Sequence, residues 1–154
     1  MYPLCEKVVR GHSRTLAQRA SLSSETLDDS SEELRDVFAS LYRLVCDERD
    51  ADSAIALWAT DEDVALYGSE ESDTAVGIAA VGAHLTAIAA STSAISFAWD
   101  ELRVHTEGDA AWVNASGSLT VDGGRSAYQT TGIFVRRNGR WRWHTHSGSA
   151  PRHS

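Results

Sequence analysis

The sequence has no excess of basic charge, no long apolar run and little cysteine. Each shortage removes a class of function. Lys and Arg number 14 against 22 Asp and Glu, a formal net charge of −8 over 154 residues. Nucleic-acid and anionic-membrane surfaces need a basic footprint, so neither partner is expected. No apolar stretch approaches the roughly 20 residues that span a bilayer. At the amino terminus, Cys5-Glu6-Lys7 and His12-Ser13-Arg14 interrupt any hydrophobic signal segment. Cys5 and Cys46 are too few for a disulfide framework, and Cys46 falls in a helical pattern where it packs as a small hydrophobe. A cytoplasmic, reducing home is the expectation.

What is present suits one globular domain. Hydrophobic residues make up 42% and charged residues 23%, and the length holds one core rather than two. Residues 1–29 have weak periodicity and a Ser/Thr/Asp cluster from Ser21 to Asp29. They read as an extension, disordered or loosely helical. The domain is expected over residues 30–151, with a short tail at 152–154.

Ser30 and Glu33 have the spacing of a capping box and open a helix. Leu34, Val37, Phe38, Leu41, Leu44 and Val45 form its apolar stripe, and Asp47-Glu48-Arg49-Asp50 ends it. Asp50 or Asp52 caps a short second helix presenting Ile55 and Trp58. Val64 to Tyr67 is a short strand stopped by Gly68, and an acidic loop with Glu70, Glu71 and Asp73 follows. From Gly77, a third helix carries Ile78, Val81, Leu85 and Ile88, with His84 beside the stripe. The period then changes to two. Ile95, Phe97 and Trp99 alternate on one parity and Leu102 and Val104 on the other, so Asp100-Glu101 reads as a β-bulge. Long strands follow, separated by turns at Gly108-Asp109, Asp122-Gly123-Gly124 and Asn138-Gly139. The fold class is therefore α+β: a curved antiparallel sheet of four long strands plus a short one, packed on three helices.

Asn138-Gly139 is a strong signal for a two-residue type I′ hairpin. It sets Arg136 opposite Trp141, Phe134 opposite Trp143, Gly132 opposite Thr145 and Thr130 opposite Ser147 on one face. That face runs from bulky rings to small or absent side chains, which predicts a packed end and a hollow end. Arg142, His144 and His146 occupy the other face. The parity of the second long strand depends on the preceding turn. A three-residue turn at Asp122-Gly123-Gly124 puts Trp112, Asn114, Ser116 and Ser118 on the aromatic face; a two-residue turn puts Val113, Ala115, Gly117 and Leu119 there. The paired glycines favour the three-residue turn.

The closing string resembles the nuclear transport factor 2-like superfamily, nearest its SnoaL-like domains and the calcium/calmodulin-dependent kinase II association domain. The matching residues are Arg136-Arg137-Asn138-Gly139-Arg140-Trp141, His144-Thr145-His146-Ser147-Gly148 and Ala150-Pro151, supported by Leu57-Trp58-Ala59, Gly77 and Gly108-Asp109-Ala110-Ala111-Trp112. The resemblance implies a cone-shaped α+β barrel, a pocket between sheet and helices, and a homodimer through the outer sheet face. Members include isomerases, cyclases, dehydratases and association modules, so fold alone does not settle function. Ser118, Gly132 and Ser147 stand where the kinase association domains carry pocket arginines, which speaks against an anionic ligand. Steroid-isomerase-like members use a buried Asp base. Here no carboxylate is expected on the concave face of the last three strands, where Tyr128 sits without an evident base.

The candidate pocket residues are Trp58, Tyr67, Trp112, Asn114, Tyr128, Thr130, Phe134, Trp143 and Thr145. Each also has a plain reading: rings fill the core of a small domain, and buried hydroxyls and amides are more often satisfied than catalytic. His144 and His146, about 6.5–7 Å apart on one strand face, are the candidate general acid/base groups, with packing at a subunit interface as the plainer alternative. A zinc site needs a third ligand that the sequence does not fix, so no metal and no cofactor is expected. The leading expectation is a domain binding an unknown small apolar ligand. An isomerase, cyclase or dehydratase working by proton transfer is the alternative, and a self-association module the third.

Overall fold

The computed structural model describes residues 19–70 and 72–150. Most of the expected extension, residues 1–18, lies outside them, as do Pro151 and the tail. Helix α1 spans Arg19–Tyr42 and runs straight through the capping box at Ser30 and Glu33. A Ser/Glu pair marks a helix start only where something stops the helix from beginning earlier, and no Gly or Pro lies between Arg19 and Tyr42. The expected start at Ser30 is thus corrected. The apolar stripe is as read, with Leu34, Phe38 and Leu41 buried.

A π-helical turn, Arg43–Asp47, continues α1. Its wider repeat, closed by Glu48 N–H donating to Arg43 O at 3.0 Å, turns both Val45 and Cys46 inward. Helix α2 (Ala51–Ile55) follows, capped by the Asp50 carboxylate, which accepts from Ser53 N–H at 3.1 Å. Strands β1 (Ala65–Tyr67) and β2 (Thr74–Val76) precede helix α3 (Ile78–Ala90). Gly77 opens α3 at φ 87°, a backbone angle that favours glycine. Arg49 ties the far end of α3 down: its guanidinium donates to the Ile88, Ser91 and Ser93 carbonyls at 3.2, 2.9 and 2.7 Å.

The long strands are β3 (Ile95–Glu107), β4 (Ala110–Val121), β5 (Gly124–Arg137) and β6 (Arg140–Ser149). The sheet order is β2-β1-β6-β5-β4-β3. All neighbours are antiparallel except β1 and β6, which run parallel. Strand β2 adds to the expected count, because three residues between an acidic loop and a helix carry too little pattern to be read as a strand. The helices lie against the concave face of this curved, unclosed sheet.

Three turns and two bulges decide which side chains face inward. The β3 bulge lies between Trp99 and Glu101, as expected. Gly117 makes it possible: a Cβ there would sit 1.9 Å from the Ala98 carbonyl oxygen. The β4–β5 turn has two residues, not three. Val121 pairs with Gly124, while Asp122 and Gly123 take φ of 49° and 85°. Aspartate tolerates the left-handed region that a type I′ turn requires, so one glycine suffices. Val113 and Ala115 therefore point inward, and Trp112 and Asn114 point out, reversing the expected parity.

The Asn138-Gly139 turn sets the register as read as far as Phe134 opposite Trp143. A bulge then intervenes, and Ile133 pairs with Thr145 and Gly132 with His146. Residues 57–59 pair with β6 at Trp143, through Ala59 N–H to Trp143 O and Trp143 N–H to Leu57 O, whereas β1 pairs from Thr145 onward. The extra residue, His144, falls between the two pairings. Beyond it the strand's inner and outer faces exchange.

Candidate functional site

The bulky end of the sheet is solid. Trp143, fully buried, packs against Phe134, Phe38 and Trp58 at ring-centroid distances of 4.5, 5.5 and 5.6 Å. Gly132 lies beneath these rings, and a Cβ on it would come within 2.7 Å of Trp143 and 2.9 Å of Phe134. The other end is hollow. A cavity of about 260 Å³ opens between the π-helical turn, α3 and the concave face of the sheet. Its walls are apolar, with Leu41, Val45, Leu85, Phe97 and Leu119 among them. Exposed Ser69 and Val121 and partly buried Asp73 and His84 mark the open side. Among the described residues no Lys or Arg lines it.

A polar group occupies the cavity wall. His146, only 6% exposed, is turned inward by the β6 bulge. Its Nδ1 lies 3.4 Å from the Tyr67 carbonyl oxygen, which can only accept, so the proton is assigned to Nδ1. Nε2 then accepts from the Tyr42 hydroxyl at 2.9 Å. Burial pushes the His146 pKa down from 6.5 to about 4, so the ring is neutral at pH 7. Burial likewise drives the Tyr42 phenol well above its ordinary value.

Tyr128, 5% exposed, also lines the cavity. Its hydroxyl stands over Gly148, where a Cβ would fall 1.8 Å from it. The Thr130 hydroxyl favours the ionised form of both phenols. Thr130 Oγ1 is nonetheless buried without a hydrogen-bond partner. Cys46 lines the cavity too, but burial raises its thiol to about 11, so it is an inert wall rather than a nucleophile.

A SnoaL-like domain model matches residues 34–153. The chain belongs to the SnoaL-like domain family. Solved structures agree on the fold. A candidate dehydratase of the nuclear transport factor 2-like family from Streptomyces avermitilis is 21% identical, with TM-score 0.73, over 82% of this chain and 99% of that one. A candidate scytalone dehydratase from Novosphingobium aromaticivorans is 13% identical, with TM-score 0.72, over 84% and 89%. A candidate calcium/calmodulin-dependent protein kinase type II association domain from Thiobacillus denitrificans is 21% identical, with TM-score 0.64, over 77% and 92%. No curated protein sequence matches the chain significantly. At these identities the structural likeness concerns the fold alone.

Within this SnoaL-like domain the expected pocket residues separate. Tyr128 lines the cavity, and Thr130 is buried beside it. Trp58, Phe134 and Trp143 belong to the solid core. Trp112 and Asn114 lie on the outer face, where Trp112 stacks on His105 at 4.2 Å and Asn114 Oδ1 accepts from the Thr131 hydroxyl at 2.9 Å. Thr145, paired with outward Ile133, is also outside, and its hydroxyl lies 2.8 Å from His144 Nδ1. Tyr67 is exposed but offers its carbonyl to His146. The expected pairing of His144 and His146 on one face is not found. His144 faces Asp63, Nε2 to Oδ1 at 3.1 Å, and only His146 reaches the cavity.

Tyr42 escaped sequence reading. It follows Phe38 by four residues at the end of α1, which is the available signal, but its partner on the last strand leaves no mark in periodicity. Asp61, Asp63 and His144 bring ligand atoms within 4.8 Å of one another, enough for a cation in principle. Arg137 already holds Asp61 at 2.8 Å, and His144 holds the Asp63 carboxyl below its usual range.

Proposed function

We propose that this SnoaL-like domain binds one small, uncharged, largely apolar molecule in the cavity beside Tyr42, Tyr128 and His146. The observation that carries the reading is the cavity itself: about 260 Å³, apolar walls and a short polar stretch. Small-molecule sites combine an apolar lining with a few placed polar groups in this way. An apolar space of roughly 150 Å³ holds one benzene, so a two-ring molecule is the matching size. The test is calorimetric titration with naphthalene. Binding by the native chain and loss in the cavity-filling variant Leu119→Trp is the expected result; no binding to either overturns the reading.

A second reading, proton-transfer catalysis, is favoured by one observation: the cavity contains titratable groups, His146, His84 and Asp73. His146 Nε2 already accepts from the Tyr42 hydroxyl and burial makes the ring a weak base, so a proton would reach it through that hydroxyl. Two of the structural relatives are named as candidate dehydratases, and an isomerase, cyclase or dehydratase step on a cyclic carbonyl compound fits these groups. His146→Gln abolishing turnover of such a compound while leaving its binding intact would support it.

We also propose a homodimer through the outer sheet face, where Ile133 is 41% exposed and Trp112 36%. Light scattering at micromolar concentration tests this, with Ile133→Glu expected to give monomers. Free, buried Cys46 suits a reducing compartment. No helix among the described residues is long and apolar enough to cross a membrane.

A further inference from the structure

The hydrogen-bonding groups along the cavity wall have fixed directions, and those directions select a ligand functional group. The Tyr67 carbonyl holds His146 as the Nδ1–H form, so Nε2 takes the Tyr42 hydroxyl proton. Tyr42 is thereby spent as a donor, and its oxygen has a lone pair to offer. Tyr128 is the opposite case. It is nine-tenths buried, lines the same cavity, and among the described residues its hydroxyl makes no hydrogen bond, with the Thr130 hydroxyl the polar group that acts on it. The wall therefore presents one acceptor and one free donor. Both flank Thr130, whose hydroxyl acts on each phenol yet is itself unsatisfied. The Tyr128 donor opens on the cavity and is not one of the buried atoms left without a partner, so it is available to a ligand group that accepts from it.

We propose that the cavity selects a neutral ring compound bearing a hydroxyl, which donates to Tyr42 and accepts from Tyr128. The proposal rests on the cavity being a binding site, and it adds the functional group. A ketone or ether fills only the accepting half of this arrangement. Among the described residues a carboxylate meets no Lys or Arg in the lining, while Asp73 lines it with a like charge. A bare hydrocarbon leaves Tyr128 unpaired.

The test is calorimetric titration of the full chain at pH 7 with four probes of one shape: naphthalene, 2-naphthol, 2-methoxynaphthalene and 2-naphthoate. The native chain is expected to bind 2-naphthol roughly tenfold more tightly than 2-methoxynaphthalene or naphthalene, as one or two neutral hydrogen bonds allow. The charged 2-naphthoate is expected to bind weakest of the four. Tyr42→Phe is expected to bring 2-naphthol down to the affinity of its methyl ether. Tyr128→Phe is expected to weaken 2-naphthol and 2-methoxynaphthalene toward naphthalene. Each variant removes a single oxygen, and a thermal melt of each establishes that it is folded. If 2-naphthol gains nothing over its methyl ether, or keeps its advantage in both variants, the hydroxyl inference falls while naphthalene binding leaves the cavity reading standing. If none of the four binds, both fall.

Discussion

The Tyr42 hydroxyl donates to His146 Nε2 at 2.9 Å, joining the end of the first helix to the last strand across 104 residues of sequence. Neither partner reaches this position by its local pattern alone. Tyr42 stands where the π-helical turn begins, and His146 is turned inward by a bulge at its own strand's second neighbour. The Tyr67 carbonyl fixes the tautomer of the ring, and that makes the Tyr42 hydroxyl the donor in this contact.

Stability should fall in acid through His146. Its folded pKa, about 4, lies below the 6.5 expected unfolded. Between those values the unfolded chain binds the extra proton, so the stability present above pH 6.5 is lost as pH falls toward 4. The gap corresponds to roughly 3 kcal/mol. Tyr42 faces the ring across the hydrogen bond, and His84 adds repulsion to its charged form. Urea denaturation at pH 7.5 and 4.5 measures the loss, and His146→Gln is expected to reduce the difference between the two pH values.

Gly148→Ala should push the Tyr128 phenol out of place, since the new methyl would lie 1.8 Å from Oη and 2.6 Å from Cζ. Overpacking of this kind costs about 1–3 kcal/mol. The variant is expected to melt earlier and to lose 2-naphthol binding. Adding Tyr128→Phe removes the closest contact and should recover part of the stability, but not the hydroxyl preference.

Trp143→Ala should be among the most destabilising single changes, about 3–5 kcal/mol. The ring is fully buried against Phe38, Trp58 and Phe134, and its Nε1–H donates to Val37 O at 3.2 Å. Trp143→Phe keeps part of the packing and should cost distinctly less. Guanidinium denaturation followed by far-UV circular dichroism separates the two.

Arg49→Ala should loosen the end of α3 without collapsing the sheet. Three carbonyls lose a charged donor, and each such bond contributes about 1.5–3 kcal/mol in favourable cases. Because Arg49 is partly solvated, a total near the lower end is expected. Hydrogen exchange should quicken over the last turn of α3, beside cavity residue Ile88, while β4 and β5 stay protected.

Much of the scaffold was legible because it depends on short-range chemistry. Asn138-Gly139 announces its hairpin, Gly77 its helix start, and the change of alternation at Asp100-Glu101 its bulge. The site was less legible. Asp122-Gly123 forms a two-residue turn, since aspartate accepts positive φ, and that choice sends Trp112 and Asn114 outward. The bulge at His144 separates His144 from His146 by faces, although the sequence spaces them as a pair.

The sequence alone determines the α+β class, the helical stripes, most of the turns and the ring-filled base, because each follows from side-chain periodicity or from backbone angles available only to particular residues. Tertiary structure alone decides which residues line the cavity. A single extra residue in a strand reverses every side chain beyond it, and whether one is accommodated depends on what pairs along the edge. Here that edge is formed by residues 57–59 and β1, some 80 residues earlier in the chain than the histidine they turn inward.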